Sequence, residues 1–153
     1  MKEVITALML WISTQTGWPI PDHPNITYIE NGKEFFLLSN DCDQKPDQKV
    51  CIDYDDDSNI LALYNHITKT IYLHKDFWLA SIKDQSILLH ELVHHMQYSM
   101  DYKKYKMMCR GDIEKESYDL QELWLQMRDT NLEETIQLGP LFRHVITQCD
   151  AIF

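Results

Sequence analysis

The stretch His90-Glu91-Leu92-Val93-His94 constrains this chain more than any other. No Pro or Gly interrupts residues 82–100, and apolar residues recur there at helical spacing. Leu88 and Leu92 lie on one line, and Leu89, Val93, Met96 and Met100 on another. Between them runs a third line, Ile87, His90, His94 and Gln97. A helix with that pattern buries two stripes and carries a polar seam between them. Residues four apart lie one turn above the other on the same face. Two imidazoles so placed can converge on one divalent ion at about 2.0–2.1 Å. Glu91 stands about 100° further round the helix, beside such an ion rather than on it. There a carboxylate can take a proton from an activated water. The spacing therefore predicts a metal-binding helix over about residues 84–99, with His90 and His94 as ligands and Glu91 as general base.

A catalytic zinc keeps three protein ligands and one open position. The third donor is expected in the run from Asp112 to Leu120, which carries several acids. Asp112 follows Gly111 and can cap a helix start. Ile113, Leu120, Trp124 and Met127 then mark an apolar face running to about Arg128. Glu114 and Glu116 are two residues apart, so on a helix they point to nearly opposite sides and only one can reach the ion. Ser117 is small and shares a face with Glu114, which permits the close helix packing a shared ligand set needs. That favours Glu114 over Glu116 as the third ligand. Tyr118, one turn after Glu114, is placed for a hydrogen bond to a ligand histidine. The motif chemistry by itself supports metal-assisted hydrolysis.

Taken together, these residues resemble the zincin metallopeptidases of the glutamate-ligand type, the gluzincins. The segment Glu114-Lys115-Glu116-Ser117-Tyr118 is similar to the Glu-x-x-Ala-Asp/Asn/Tyr pattern on their second metal helix. Ser117 takes the small-residue place, and Tyr118 stands where many relatives carry Asp or Asn. The closest likeness is to small bacterial secreted zincins with a His-Glu-Leu-Val-His-His-x-Gln core, over residues 60–125. The resemblance implies one zincin-like domain over residues 1–153 and one catalytic Zn²⁺ held by His90, His94 and Glu114. It implies hydrolysis of peptide bonds in a peptide or protein substrate, with Glu91 as base. Two other readings stay open: a zinc-binding protein that sequesters a partner and does no chemistry, and an effector protease of narrow specificity. His144, Tyr98, Tyr102 and Tyr118 are candidates for polarising the substrate carbonyl. The substrate is expected to lie extended along a strand edge near Thr70–His74, paired through its backbone.

Composition closes off other classes. A chain of 153 residues with a net charge of −10 has no basic stripe with which to neutralise phosphates, which argues against nucleic acid as a partner. No segment reaches the roughly 20 apolar residues of a membrane-spanning helix. Residues 1–12 are apolar, but Glu3 and the lack of a small-x-small cleavage site oppose a signal peptide. Val4, Leu8 and Trp11, with Ile5, Met9 and Ile12, are helix-spaced instead, giving an amphipathic helix over residues 2–16. Trp11, Trp18, Trp78 and Trp124 are expected in the core. None of the four cysteines forms a C-x-x-C pair. Bridges Cys42–Cys51 and Cys109–Cys149 are expected, and with them a secreted or periplasmic protein; reduced thiols in a cytoplasmic protein are the alternative. Oligomeric state is not legible.

The remaining segments set the fold class. Gly17–Pro24 reads as an extended connector. Ile26–Glu30 and Glu34–Leu38 flank Asn31-Gly32, a strong hairpin signal. Leu61–Asn65 and Thr70–His74 read as a second strand pair joined near Thr68-Lys69. Asp76–Ala80 reads as a short helical turn, and Leu132–Gln137 and Pro140–Gln148 as short helices. Asp53–Asn59 has the alternating acids of an EF-hand loop. It lacks Gly at the sixth place (Ser58) and Glu at the twelfth (Tyr64), so it reads as a solvated acidic loop. His95, His23, His66, His74 and His144 lack paired spacing and read as polar contacts. Strands first and helices after them predict an α+β domain, with a small antiparallel or mixed sheet followed by the two metal-ligand helices.

Overall fold

The computed structural model describes residues 1–30 and 61–149. The Asn31-Gly32 hairpin, the Cys42–Cys51 bridge and the acidic loop at Asp53–Asn59 lie outside the described residues. The chain is α+β, and it divides into two compact units. One is Pro24–Trp78 and the other joins Met1–His23 to Leu79–Phe153.

Among the described residues, the first of these units carries a three-stranded mixed sheet of order β1-β3-β2. Its strands are β1 (Asn25–Ile29), β2 (Ala62–Asn65) and β3 (Thr70–His74). β3 pairs in parallel with β1 and antiparallel with β2. The β2–β3 hairpin is local chemistry. The Asn65 carboxamide oxygen accepts from the backbone N–H groups of Ile67 (2.9 Å) and Thr68 (3.2 Å), and Lys69 closes the turn at φ 52°. Ile71 and Leu73 alternate on one face of β3 and are fully buried. One expectation fails here. Thr70–His74 is the central strand, with its hydrogen-bonding groups taken on both sides, so it offers no open edge to a substrate strand.

Among its described residues the helical unit holds six helices: α1 (Lys2–Thr16), α2 (Ile82–Met100), α3 (Tyr102–Met107), α4 (Arg110–Gln126), α5 (Leu132–Ile136) and α6 (Pro140–Ile146). α1 buries Ile5, Leu8, Met9 and Ile12 and ends at Gly17. There φ of 77° returns the glycine N–H to the Ser13 carbonyl. α2 starts at Ser81, whose hydroxyl accepts from the Asp84 N–H at 3.2 Å. It packs against α1 on one side and α4 on the other. Leu88, Leu89, Leu92, Val93 and Met96 are fully buried along it.

Several boundaries differ from expectation, each for a local reason. α2 stops at Asp101, whose carboxylate accepts from the Lys104 N–H and so starts α3, a helix the apolar pattern does not reveal. α4 begins at Arg110, not at a cap on Asp112. Cys109 is its N-cap residue without a side-chain cap bond, and Asp112 lies in the first turn, where its charge suits the helix dipole. Met127 is exposed past the end of α4 instead of completing its apolar face. Residues 75–80 form turns and no helix. Only Trp124 of the four tryptophans is fully buried, and Trp78 is 68% exposed.

α2 is the element on which the helical unit closes. Leu92→Ala should therefore cost about 2–5 kcal/mol, read by chemical denaturation. A cost below about 1 kcal/mol, typical of a surface change, would show that α2 is not the core helix.

Candidate metal centre

One turn of α2 separates His90 from His94. The two rings meet edge to face, with centroids 4.8 Å apart, and their Nε2 atoms stand 3.2 Å apart. α4 brings the third group. The Glu114 Oε2 is 3.0 Å from His90 Nε2, and Oε1 is 3.3 Å from His94 Nε2. Donor atoms bound tetrahedrally at 2.0–2.1 Å from zinc sit about 3.3 Å from one another, so the three groups have the mutual spacing of a ligand set. Glu116 faces elsewhere: both its oxygens are 3.2 Å from the Tyr105 hydroxyl, which donates to them. The packing that admits Glu114 is close. Ser117 is fully buried and donates its hydroxyl to the His90 carbonyl at 2.8 Å, where a larger side chain would hold the helices apart.

Two glutamines determine how the imidazoles present themselves. The Ile113 carbonyl can only accept, so Gln97 turns its NH₂ to it (3.1 Å) and its carbonyl oxygen to His94 Nδ1 (2.9 Å). That oxygen can only accept, so His94 Nδ1 carries a hydrogen and donates. Ser86 donates its hydroxyl to the Lys83 carbonyl at 2.7 Å, which leaves its oxygen to accept from the Gln121 NH₂ at 3.2 Å. The Gln121 carbonyl oxygen then faces His90 Nδ1 at 2.9 Å and accepts from it. Each Nδ1 hydrogen is thereby fixed, which leaves Nε2 of both rings as the atom that faces Glu114 and can hold either a metal ion or a proton. Two imidazole lone pairs and a carboxylate meet in a largely buried place, an arrangement that only a cation or a proton makes favourable.

The electrostatics say the same. Burial works to raise the Glu114 pKa, but hydrogen bonds and charge from His90 and His94 outweigh it and hold the carboxyl well below the usual range. Burial works to lower the His94 pKa. The hydrogen bond to Glu114, the charges of Glu114 and Glu91, and Gln97 overcome this and push His94 up to about 9. Glu91 is half-buried beside these groups, close enough for its charge to act on His94 and Tyr118. The Tyr118 ring lies against His90 with centroids 4.4 Å apart. The expected hydrogen bond from Tyr118 to a ligand histidine is replaced by this ring contact, because Gln121 already holds His90 Nδ1. Burial, with Glu114 and Glu91, pushes the Tyr118 phenol up to about 12, so it stays protonated. Burial also raises Tyr98, against the opposing charge of Arg110.

Three of the other histidines settle as polar contacts. His95 meets the Asp22 carbonyl at 2.8 Å, His23 the Thr6 hydroxyl at 3.0 Å, and His144 the Gln148 side chain at 3.4 Å. Cys109 and Cys149 approach Asp112, but their sulfurs are joined in a disulfide and are not thiolate ligands. The residues missing from the sequence reading are chiefly Gln121 and, as a partner rather than a stripe member, Gln97. The available signal was spacing: Gln121 follows Glu114 and Ser117 at seven and four residues.

Residues 1–138 match a family model described as a domain of unknown function (DUF6647), and the chain belongs to that family. No curated protein and no solved structure matches it.

A metal held by these three groups must displace the proton that Glu114 favours on His94. Its affinity should rise with pH through the neutral range and level off above a pH of about 9, where His94 is already deprotonated. Calorimetric zinc titrations near neutral pH, in buffers of different ionisation enthalpy, should show about one proton released per ion. A proton count of zero would contradict this arrangement.

Proposed function

We propose that this member of the DUF6647 family is a zinc-dependent hydrolase of peptide bonds. Its metal would be held by His90, His94 and Glu114, and its general base is Glu91. The observation that supports the reading is the convergence of three side chains, the two Nε2 atoms 3.2 Å apart and each 3.0–3.3 Å from one Glu114 oxygen, with the far nitrogen of each imidazole tied to an amide oxygen. Such tying is how metal-binding histidines are held in proteins. Zinc bound there supplies Lewis acidity, bringing the pKa of a water to about 7 and polarising a carbonyl.

The chain's own residues divide the remaining work. Glu91 follows His90 on α2 and lies to the side of the ligand set. Its carboxylate accepts the proton that the attacking water gives up, and then hands it to the leaving amine. Tyr118 presents a phenol that keeps its hydrogen and can donate it to negative charge developing on the carbonyl oxygen. Peptide as the substrate class rests on the likeness of His90–His94 and Glu114–Tyr118 to the gluzincin motifs. A secreted or periplasmic location accords with the Cys109–Cys149 bridge.

Elemental analysis of the purified protein should find about one zinc per chain, removable by a chelator. Glu91→Gln should keep that zinc and lose about 10²–10⁴ of the cleavage rate on a peptide library, while His94→Ala should lose both metal and activity. Glu91→Gln cleaving at the wild-type rate would remove Glu91 as base. Stoichiometric zinc with no cleavage of any library peptide would favour the sequestration reading instead.

A further inference from the structure

The start of α4 lacks the local support that the other metal helix has. Ser81 caps α2 through its side chain, and Asp101 and Asn131 do the same for α3 and α5, whereas Cys109 gives α4 no such bond. Arg110, in the first turn, places a cation against the positive end of the helix dipole and offsets the favourable charge of Asp112 in the same turn. The first-turn N–H groups of a helix have no partners within it, so an uncapped start depends on packing. Here the packing comes from the far end of the chain. A Cβ at Gly111 would stand 2.7 Å from the Thr147 carbonyl oxygen and 3.0 Å from the Gln148 carbonyl carbon. Both are backbone atoms that cannot swing away. Glycine in a helix costs about 1 kcal/mol relative to alanine, so its presence at this point answers to that close approach. Thr147 is buried and is fixed in turn by donating its hydroxyl to the Arg143 carbonyl at 2.9 Å. The Cys109–Cys149 disulfide brackets the contact, two residues outside it on each side.

Glu114 lies three residues beyond Gly111. Its neighbour Ile113 is held from the opposite side, where the carbonyl accepts from Gln97, the same glutamine that orients His94. The first turn of α4 is thus clamped between α2 and the residue 147–149 segment, and the third candidate ligand is the next residue along. Metal–ligand distances fall within about 0.2 Å of their usual values, so a shift in the first turn of α4 is felt at Glu114. Thr147 and Cys149 lie beyond the residues 1–138 that the family model matches, so the clamp is an addition to what that model describes.

We infer that the bridged C-terminal segment is a positioning element for Glu114, and that opening the Cys109–Cys149 bridge weakens metal binding by the same chain. This rests on the metal reading of the centre but not on any activity. Opening is a two-electron step. A dithiol gives two electrons and two protons to the S–S bond, leaves two cysteine thiols, and becomes a disulfide itself. The metal centre then depends on the redox state of a bond that is not part of it.

The test is equilibrium competition for Zn²⁺ between a chromophoric chelator and the full chain, with helix content followed by circular dichroism. The samples are the wild type, the Cys109→Ser/Cys149→Ser variant, and Gly111→Ala with its bridge intact. Each variant should bind zinc about 10–100-fold more weakly than the wild type while keeping its helix content. Should the bridge-free variant fail to fold, Gly111→Ala carries the comparison, because its disulfide still ties the chain. Zinc bound equally tightly by the wild type and by the folded variants overturns the inference and leaves the metal reading standing. A wild-type chain that binds no zinc overturns both.

Discussion

The structure depends on a buried polar seam between two helices. α2 and α4 do not meet through interlocking leucines where it matters most. They meet through Ser117 on the His90 carbonyl, Gln97 on the Ile113 carbonyl, and Gln121 between Ser86 and His90. Each of these groups is buried, so leaving any of them without a partner would cost about 1–3 kcal/mol. Because the bonds cross from helix to helix, they fix the register of α4 on α2 as well as its distance. That register brings Glu114, and not Glu116, to the two imidazoles. Apolar contact alone would tolerate a small slide; this set of bonds does not.

A second consequence is electrostatic. Folding that burial would oppose, two imidazoles and a carboxylate in one place, is compensated in advance by the amides behind the rings. Gln97 and Gln121 accept from Nδ1 and so aim each Nε2 lone pair inward. They are neutral where a carboxylate would add charge. A divalent ion held there would meet a single negative ligand charge, that of Glu114. Such a centre would retain net positive charge, which suits the polarisation of a carbonyl in the proposed reaction. The raised His94 and lowered Glu114 express the same pull in the currency of protons.

Much of this was legible in the sequence because helical spacing is a strong signal. His90 and His94 one turn apart fixed a shared face, and the two-residue offset of Glu114 and Glu116, with Ser117, pointed to the acid that the structure places there. α1 and the β2–β3 hairpin followed from apolar periodicity in the same way. The misses share a cause. Gln121 and Gln97 are polar residues in the core, and an apolar pattern does not show which partners such residues take. α3 depends on one capping aspartate and too few apolar positions to show a period. The order of strands depends on long-range pairing, so β3 was read as an edge although it is central. Trp78 was assigned to the core on residue type alone, and its exposure shows how little residue type decides without periodicity.

The central claim concerns the atoms around one ion, and zinc-edge X-ray absorption on the purified chain tests it most directly. The account predicts a shell of nitrogen and oxygen neighbours at about 2.0–2.1 Å, with the outer-shell pattern of two imidazoles and no sulfur. A shell with sulfur at about 2.3 Å, or the pattern of fewer than two imidazoles, would contradict it.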